Sequence, residues 1–378
     1  MVSLAGSDED SKGVMVIKAA VPGIGDSDRL MRWLDSAGVP GAAQLDGITL
    51  IPGGRSNLTY RLDFAAGGLA PDGPSRMVLR RPPLGHVLPT AHDMGREYRV
   101  LSALAGTDVP VPAPVAFCPD DGVIGAPFYV MQYVDGLVLR TEEDGVNVTP
   151  EQARQISQRL AETLAAIHQV DIAAVGLDGF GRPAGYLARQ LARWQRQWEL
   201  SATRELPEYH RLVSRLAARL PEDGEGTLVH GDFRIDNVLL VLEPRPRAAA
   251  VVDWEMSTLG DPLADLGLTL TYWADAGDDE WFGIEVGAKV TSRPGFLTSA
   301  GFASHYSALT GRDVSGIGYY VAFGCFKLAV VLEGIHARFL QHKTVGEGFD
   351  QAGSAVPTLI ERANRMLDGL VSSGGGPA

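Results

Sequence analysis

Residues 230–237 and 250–255 contain side chains that could handle a proton and a divalent cation. Asp232 lies in the first segment, Asn237 follows it, and Asp253 ends an apolar, strand-like run further along the chain. Phosphoryl transfer from a nucleotide needs such a set, because one carboxylate orients the attacking hydroxyl while an amide oxygen and a second carboxylate hold Mg²⁺. The pattern therefore predicts Asp232 as the catalytic residue and Asn237 and Asp253 as magnesium ligands.

Asp232 and Asp253 also have simpler interpretations. Asp232 alone would be read as a surface turn residue, and Asp253 as an aspartate that caps a turn after a strand. Asp253 follows the buried-strand pattern of Val251 and Val252, and a strand end holds a metal ligand rigidly. Their combination in one short region favours the functional interpretation.

The segment 230–237 resembles the H-G-D-x-x-x-x-N loop of the aminoglycoside phosphotransferase-like kinases, a branch of the protein-kinase-like fold. Residues 79–83, 127–131 and 260–262 resemble the subgroup that is fused to acyl-CoA dehydrogenase domains. The resemblance covers roughly residues 45–345. It implies that His230 supports the loop by hydrogen bonding rather than by taking part in the reaction.

The resemblance implies an α+β, two-lobed fold of the protein-kinase type. Residues 1–135 would form a small lobe with an antiparallel sheet that binds the nucleotide phosphates, and residues 136–378 a mainly helical lobe with the catalytic loop, metal-binding loop and substrate pocket. Apolar alternation independently predicts strands at 58–64 and elsewhere before residue 135. Thr149, followed by Pro150 and Gln152, predicts the start of a helix with a capping box.

Six residues are predicted to bind the nucleotide. A glycine-rich turn at 53–54 would let the backbone N–H groups of the next residues approach phosphate oxygens closely. The resemblance implies an arginine and its glutamate partner at the α- and β-phosphates, and a connecting segment whose backbone binds the adenine edge. These residues are Ser56, Asn57, Arg80, Glu97, Gln132 and Val134.

Arg80 departs from the family pattern, which has lysine at this strand position. Arg80 is followed by Arg81, and successive side chains of a strand point to opposite faces, so only one of them can reach the nucleotide. Arg80 is the predicted phosphate ligand because it occupies the lysine position, and a guanidinium can bind phosphate in a bidentate manner.

The composition excludes several protein classes. A net charge of −13 argues against a nucleic-acid-binding protein. The apolar run 319–335 is too short to span a bilayer and is interrupted by Lys327 and Glu333, so it predicts a buried helix. Neither a secretory signal nor a membrane anchor is recognisable, and a cytoplasmic location is expected. The two cysteines are predicted to be buried free thiols.

These observations predict a phosphotransferase that uses ATP, with GTP as the alternative donor, and Mg²⁺ to phosphorylate a small-molecule hydroxyl. A hydroxylated acyl compound is preferred as substrate over an aminoglycoside, which would need an acidic pocket such as the cluster at 275–280. Two alternatives stay open: a nucleotide-binding regulatory protein without catalysis, and a metal-dependent hydrolase with His230, Asp232 and Asp253 as ligands. The oligomeric state is not readable from the sequence.

Overall fold

The computed structural model describes residues 21–51, 57–65, 75–84, 92–278, 289–341 and 351–373. The chain divides into two compact units, Met1–Arg99 with Ala113–Tyr133, and Val100–Pro112 with Val134–Ala378. The short piece Val100–Pro112 thus belongs with the second unit although it precedes the last strands of the first. The functional division at residue 135 stays a prediction.

The first unit contains an antiparallel sheet, one helix and the beginning of a second, which continues into the piece Val100–Pro112. Five strands are hydrogen bonded in the order β1-β2-β3-β5-β4. Asp26 accepts hydrogen bonds from the N–H groups of Asp28 and Arg29 and so caps the first helix. The elements are α1 (Ser27–Ser36), β1 (Leu45–Leu50), β2 (Leu58–Phe64), β3 (Arg76–Arg81), α2 (Met94–Leu104), β4 (Pro114–Cys118) and β5 (Phe128–Gln132).

Strand β3 lies in the middle of this sheet, between β2 and β5. Its Leu79 is opposite Tyr60 on one side and Val130 on the other, and all three are buried in the core of the unit. Burial on both sides fixes the register, because a slip by one residue would turn the apolar side chains to the wrong face. The register therefore determines the faces to which Arg80 and Arg81 point.

The second unit is mainly helical and contains two short two-stranded ladders. Strand β6 pairs with β9, and β7 pairs with β8. The elements are α3 (Pro150–His168), α4 (Tyr186–Ser201), α5 (Pro207–Ala218), β6 (Thr227–Val229), β7 (Val238–Val241), β8 (Arg247–Val251), β9 (Thr258–Gly260), α6 (Pro262–Tyr272), α7 (Ser299–Thr310), α8 (Ile317–Leu340) and α9 (Ala355–Ser373).

Helix α3 begins where the sequence predicts. The side chain of Thr149 accepts a hydrogen bond from the N–H of Gln152, and the Gln152 side chain accepts one from the N–H of Thr149. This capping box satisfies two N–H groups that have no partner within the helix. The predicted apolar face, with Ile156, Leu160 and Leu164, is buried.

Helix α8 is the longest in the part of the chain that the structure describes, with 24 residues. It is long and apolar enough to cross a membrane by length and composition, yet 78% of its most apolar window is buried inside the protein. Its Glu333 accepts hydrogen bonds from the N–H and hydroxyl of Thr203, each at 2.7 Å, and forms an ion pair with Arg204. The predicted buried helix is confirmed, although it is longer than the apolar run.

Both cysteines are free and buried, as predicted: Cys118 in the first unit and Cys325 on α8. Burial raises the pKa of Cys325 to about 11, so this thiol stays protonated near neutral pH. The two residues act as small apolar side chains of the cores.

Candidate active site

The loop that follows β6 carries the predicted catalytic residue. Phe233 and Ile235 are buried, whereas Asp232, which precedes them, and Asn237, which follows them, are half-buried. Gly231 has a φ of +83°, and a Cβ there would lie 2.5 Å from the carbonyl oxygen of Met256. Glycine is therefore needed at this turn, both for the backbone conformation and for the close approach of the neighbouring segment.

His230 supports the loop through both of its ring nitrogens. Nε2 donates to the carbonyl oxygen of Val252 at 3.0 Å, and Nδ1 accepts from the N–H of Asp232 at 3.3 Å. Because a carbonyl can only accept, these bonds require the proton on Nε2. The Trp254 ring packs against the imidazole, with centroids 4.6 Å apart. These contacts agree with the supporting role that the resemblance implied.

The carboxylate of Asp265, in the first turn of α6, braces the same loop. It accepts hydrogen bonds from the N–H of His230 at 2.7 Å and from the N–H of Gly231 at 2.9 Å. The neighbouring Asp261 caps α6 by accepting from the N–H of Leu263 at 2.8 Å. Asp265 therefore holds the loop against the start of α6, and Asp261 stabilises the first turn of that helix.

His168 on α3 completes this buried network. Its Nε2 lies 3.2 Å from the Asp265 carboxylate, and its Nδ1 lies 2.7 Å from the hydroxyl of Tyr306. Burial lowers the pKa of His168 despite the nearby carboxylate, so the imidazole is neutral and donates to Asp265. Burial by itself would raise the pKa of Asp265, but the bond from His168 lowers it overall, so this group stays ionised.

Asn237 is bonded directly to Asp232. Its side-chain Nδ2 donates to the main-chain carbonyl of Asp232 at 2.9 Å and lies 3.5 Å from the Asp232 carboxylate. Since a carbonyl can only accept, the nitrogen of the amide must face Asp232. The amide oxygen, which can bind a cation, therefore points away from Asp232.

The β7–β8 hairpin brings Asp253 close to Asn237 along the backbone. Val238 pairs with Val251, and the N–H of Val252 donates to the carbonyl of Asn237 at 2.9 Å. Asp253 has a φ of +69°, which is uncommon for a residue other than glycine and is a form of strain found at functional sites. Its side chain does not cap the following 3₁₀ turn, which weakens the simpler interpretation of this residue.

The donor set at the end of this hairpin fits magnesium. Mg²⁺ prefers carboxylate and amide oxygens, and Asp253 and Asn237 provide one of each. Within the ranges that the structure describes, no group of three or more histidine, cysteine or acidic side chains could hold a metal ion. That result and the engaged ring nitrogens of His230 count against the metal-dependent hydrolase.

Two charged residues near the catalytic loop were missed by sequence reasoning. Lys327 on α8 donates from Nζ to the carbonyl of Gly231 at 2.8 Å. Arg234 donates to Asp236 at 2.7 Å, and its guanidinium lies 4.5 Å from the centre of the Tyr272 ring. Lys327 was noticed only as a charge inside an apolar run, because its distance in sequence from the loop concealed the contact.

The first unit contains a buried ion pair between two predicted nucleotide-binding residues. Nε of Arg80 lies 3.0 Å from Oε2 of Glu97, and both side chains are nearly buried. Glu97 also accepts hydrogen bonds from Nδ2 of Asn57 at 2.9 Å and from the hydroxyl of Tyr129 at 2.8 Å. The glutamate is thus held by three partners and can fix the direction of the arginine.

Arg81 points away from this pair and serves the structure of its unit. Its guanidinium donates to the carbonyl of Ile124 at 2.8 Å and also to that of Gly23, while Nε donates to the carbonyl of Pro82. Burial lowers the pKa of Arg81, with the nearby Tyr60 opposing the effect. The two arginines therefore point to opposite faces of β3, as the alternation of side chains along a strand requires.

The other predicted nucleotide-binding residues are less well defined by contacts. The side chain of Asn57 is occupied by Glu97 and by Nδ1 of His92 at 2.8 Å, which leaves the predicted backbone contact as a prediction. The N–H of Gln132 donates to Ala113 at 2.8 Å, so only its carbonyl could bind a base edge. Val134 is half-buried, and Ser56 lies outside the described residues.

The comparison with known families agrees with this arrangement. The model of the phosphotransferase enzyme family matches residues 47–290, which is more than half of the chain and includes the catalytic loop and the β7–β8 hairpin. The chain belongs to this phosphotransferase family. Membership confirms the predicted phosphotransferase class, and with it the recognition made from residues 230–237.

Two curated relatives illustrate the range of proteins to which this phosphotransferase is similar. It is 36% identical over 314 residues to acyl-CoA dehydrogenase family member 11 of Gallus gallus, with 82% of this chain and 39% of the relative covered. It is 31% identical over 209 residues to viomycin phosphotransferase of Streptomyces vinaceus, with 48% of this chain and 68% of the relative covered. The chain thus spans about two fifths of the dehydrogenase-type relative.

Solved structures confirm the kinase-like α+β fold. A crystal structure of a candidate aminoglycoside phosphotransferase from Ralstonia eutropha matches with a TM-score of 0.74 and 30% identity, covering 91% of this chain and 98% of that one. Aminoglycoside phosphotransferase APH(4)-Ia, in a complex with ADP and hygromycin B, matches at a TM-score of 0.54 and 14% identity, covering 91% and 98% of the two chains. The second likeness concerns the fold alone.

Proposed function

We propose that this phosphotransferase moves the γ-phosphoryl group of ATP to a hydroxyl group of a small molecule, with Mg²⁺ as cofactor and GTP as the alternative donor. The observation that carries the proposal is the hydrogen bond from Asn237 to Asp232, on a loop braced by Asp265. This bond links Asp232, whose carboxylate is half-buried, to an amide whose oxygen points away from Asp232. Phosphoryl transfer uses such a pair, with the carboxylate for the acceptor hydroxyl and the amide oxygen for Mg²⁺.

In this proposal, Asp232 is the catalytic base. Its carboxylate accepts a hydrogen bond from the acceptor hydroxyl, turns the oxygen towards the phosphorus and receives the proton as the new bond forms. Asn237 and Asp253 are the residues that would hold Mg²⁺, which when bound neutralises charge on the phosphates. The rigid loop matters because positioning supplies much of the rate.

The first unit provides the proposed nucleotide ligands. Arg80, which forms an ion pair with Glu97, is proposed to bind phosphate oxygens, whereas Arg81 donates to carbonyl groups of its own unit. The backbone of Ser56 and Asn57 is proposed to contact phosphates. The carbonyl of Gln132 and the backbone of Val134 are proposed to bind the base.

The acceptor is proposed to be a hydroxylated acyl compound, with a CoA thioester as one form, rather than an aminoglycoside. The similarity to a protein named as an acyl-CoA dehydrogenase family member supports this class. The acidic cluster at 275–280 gives little support for a cationic substrate, because its described carboxylates have structural partners. Asp275 accepts from the N–H of Ser299 at 2.7 Å, and Asp278 forms an ion pair with Arg362 at 2.7 Å.

The competing proposal is a regulatory protein that binds nucleotide without catalysis. The use of Arg80 in place of the family's lysine keeps this alternative open. The loop of Asp232, which Asp265 braces, counts against it, because a protein that only binds nucleotide has no need to hold a base in place.

Transfer can be tested with Mg·ATP labelled in its γ-phosphate and a panel of hydroxy acids, hydroxyacyl-CoA thioesters and aminoglycosides. We expect a labelled product with a hydroxyacyl compound, and none with Asp232→Ala. Nucleotide binding by both proteins without any product from either would support the regulatory alternative. The absence of both nucleotide binding and product in the wild type would contradict the proposal altogether.

A further inference from the structure

Lys327 places a positive charge at the base of the catalytic loop. It lies on α8, and its Nζ donates to the carbonyl of Gly231 at 2.8 Å, the residue that directly precedes Asp232. Within the part of the chain that the structure describes, this is the hydrogen bond that Nζ makes, and the ammonium has three N–H groups to give. A half-buried ammonium is costly unless its charge is matched by partners.

A second cation lies near the same place. The Nζ of Lys327 is 5.6 Å from the centre of the Trp194 ring, and the guanidinium carbon of Arg193 is 5.4 Å from the centre of the same ring. Trp194 is buried on α4, whereas Arg193 is exposed. The two cations, which we call the Lys327–Arg193 pair, therefore lie close to the same indole, and the charge of Arg193 acts on Lys327.

The carboxylates around Lys327 also have other tasks. The acidic groups that act on Lys327 are Asp232 and Asp265. Asp265 is already bonded to the N–H groups of His230 and Gly231 and to His168. Asp232 is the proposed base and faces the acceptor. Arg193 adds positive charge to the site, so the pair offers attraction to an electron-rich group of a ligand.

We propose that the Lys327–Arg193 pair is a substrate subsite that binds a carboxylate or acyl carbonyl oxygen of the acceptor. The inference rests on the proposed function, because it takes Asp232 as the group that orients the acceptor hydroxyl. Lys327 is bonded to the residue before Asp232. The carbon atoms next to the hydroxyl of an acceptor bound at Asp232 therefore lie near the ammonium. A hydroxyl and a carboxyl-derived oxygen separated by a few bonds can then contact Asp232 and Lys327 together.

The same pair selects against polycationic acceptors. An amino group near the acceptor hydroxyl of an aminoglycoside would meet Lys327 and Arg193, and like charges at short range are repulsive. The subsite thus identifies the acceptor class as hydroxy acids and hydroxyacyl thioesters.

Binding can be measured by calorimetry in the presence of Mg·ADP. The probes are β-hydroxyacyl-CoA thioesters of increasing chain length, the free β-hydroxybutyrate, the diol obtained by reducing its carboxyl carbon, and kanamycin. We expect the wild type to bind the thioesters or the free acid and to prefer them to the diol and to kanamycin. Lys327→Met should weaken that binding about 10- to 100-fold, because charge-assisted hydrogen bonds are strong.

Two further variants keep the proposal testable even if Lys327→Met does not fold. Arg193→Met changes an exposed side chain, and we expect it to weaken binding by about 3- to 10-fold, as for a partly exposed charge. Arg196→Met removes an exposed arginine from the same helix and should leave acceptor affinity unchanged. Thermal unfolding of all variants shows whether Lys327→Met is folded.

The outcomes separate this proposal from the proposed function. Binding of a hydroxyacyl probe that depends on Lys327 or Arg193, but without phosphoryl transfer, would support the subsite and count against the kinase. Transfer with unchanged affinity in both folded variants would overturn the subsite alone. Tighter binding of kanamycin than of every carboxyl-derived probe, or no binding of any such probe to the wild type, would also overturn the subsite.

Discussion

The side-chain amide nitrogen of Asn237 donates a hydrogen bond of 2.9 Å to the main-chain carbonyl of Asp232. One side chain thus connects the proposed base to the proposed metal site, because its nitrogen holds the loop while its oxygen is directed elsewhere. The two tasks require an amide; a carboxylate at this position could bind a cation but could not donate to the loop.

Removing this amide should impair catalysis more than folding. Asn237→Ala is expected to lower kcat about 100-fold and to raise the Mg²⁺ concentration for half-maximal rate about 10-fold, because it removes both a metal ligand and a contact that positions Asp232. Steady-state assays at varied Mg²⁺ would measure both effects. Asn147→Ala, which changes an exposed asparagine, is the control. A wild-type Mg²⁺ dependence in Asn237→Ala would exclude the proposed ligand role.

A methyl group at Gly231 should destabilise the second unit. Gly231 and Gly277 have nearly equal positive φ values, +83° and +81°, but a Cβ at Gly231 would lie 2.5 Å from a backbone oxygen while a Cβ at Gly277 would have no atom within 4 Å. Gly277→Ala should cost about 1–2 kcal/mol of unfolding free energy from the backbone alone. Gly231→Ala should cost a further 1–3 kcal/mol or so from the clash.

Urea denaturation of the two glycine variants would measure this difference. Because both variants have the same backbone penalty, the additional loss of unfolding free energy in Gly231→Ala measures the cost of the clash with the Met256 segment. Equal losses in the two variants would show that the loop can move away from that segment.

The two adjacent arginines of β3 should have different roles. Arg80→Met is expected to weaken Mg·ATP binding about 10-fold or more, because a phosphate ligand is lost. Arg81→Met should instead lower the unfolding free energy by about 2–4 kcal/mol, because carbonyls of Gly23 and Ile124 lose their donor. Fluorescence titration with a nucleotide analogue and thermal unfolding distinguish the effects. The reverse assignment, with Arg81 controlling affinity, would contradict the strand register as the basis for the nucleotide site.

The stability of the protein should decrease on mild acidification because of His168. Burial lowers the pKa of this imidazole below the ordinary histidine value of 6.5, so between the lowered pKa and 6.5 the unfolded chain binds a proton that the folded protein does not. The unfolding free energy therefore rises with pH across this window and levels off above it. His168→Gln should reduce the slope, measured by urea denaturation from about pH 7 to about pH 5.

An exposed histidine gives the control for this experiment. His210→Gln should retain the slope of the wild type, because its ring is at the surface of α5. If His168→Gln also retained the full slope, another group would have to account for the acid sensitivity.

Comparison of sequence and structure shows which inferences local pattern supports. The capping box at Thr149 and the alternating strand at 58–64 depend on neighbours in sequence, and both were predicted correctly. The loop from His230 to Asn237 was also recognisable, because its spacing reflects a single turn in which Phe233 and Ile235 are buried and Asp232 is not. Short-range geometry of this kind is largely set by the order of residue types.

Contacts between distant residues were not predictable in the same way. The pairing order β1-β2-β3-β5-β4, the bracing of Gly231 by Asp265, and the bond from Lys327 to Gly231 join segments that are far apart in sequence. The sequence by itself was enough to recognise the phosphotransferase family, through the motif at residues 230–237, and to predict Asp232, Asn237 and Asp253 as its site residues. Tertiary structure decided that a lysine from a core helix lies beside that chemistry, because only the packing of α8 against the loop brings the two charges together.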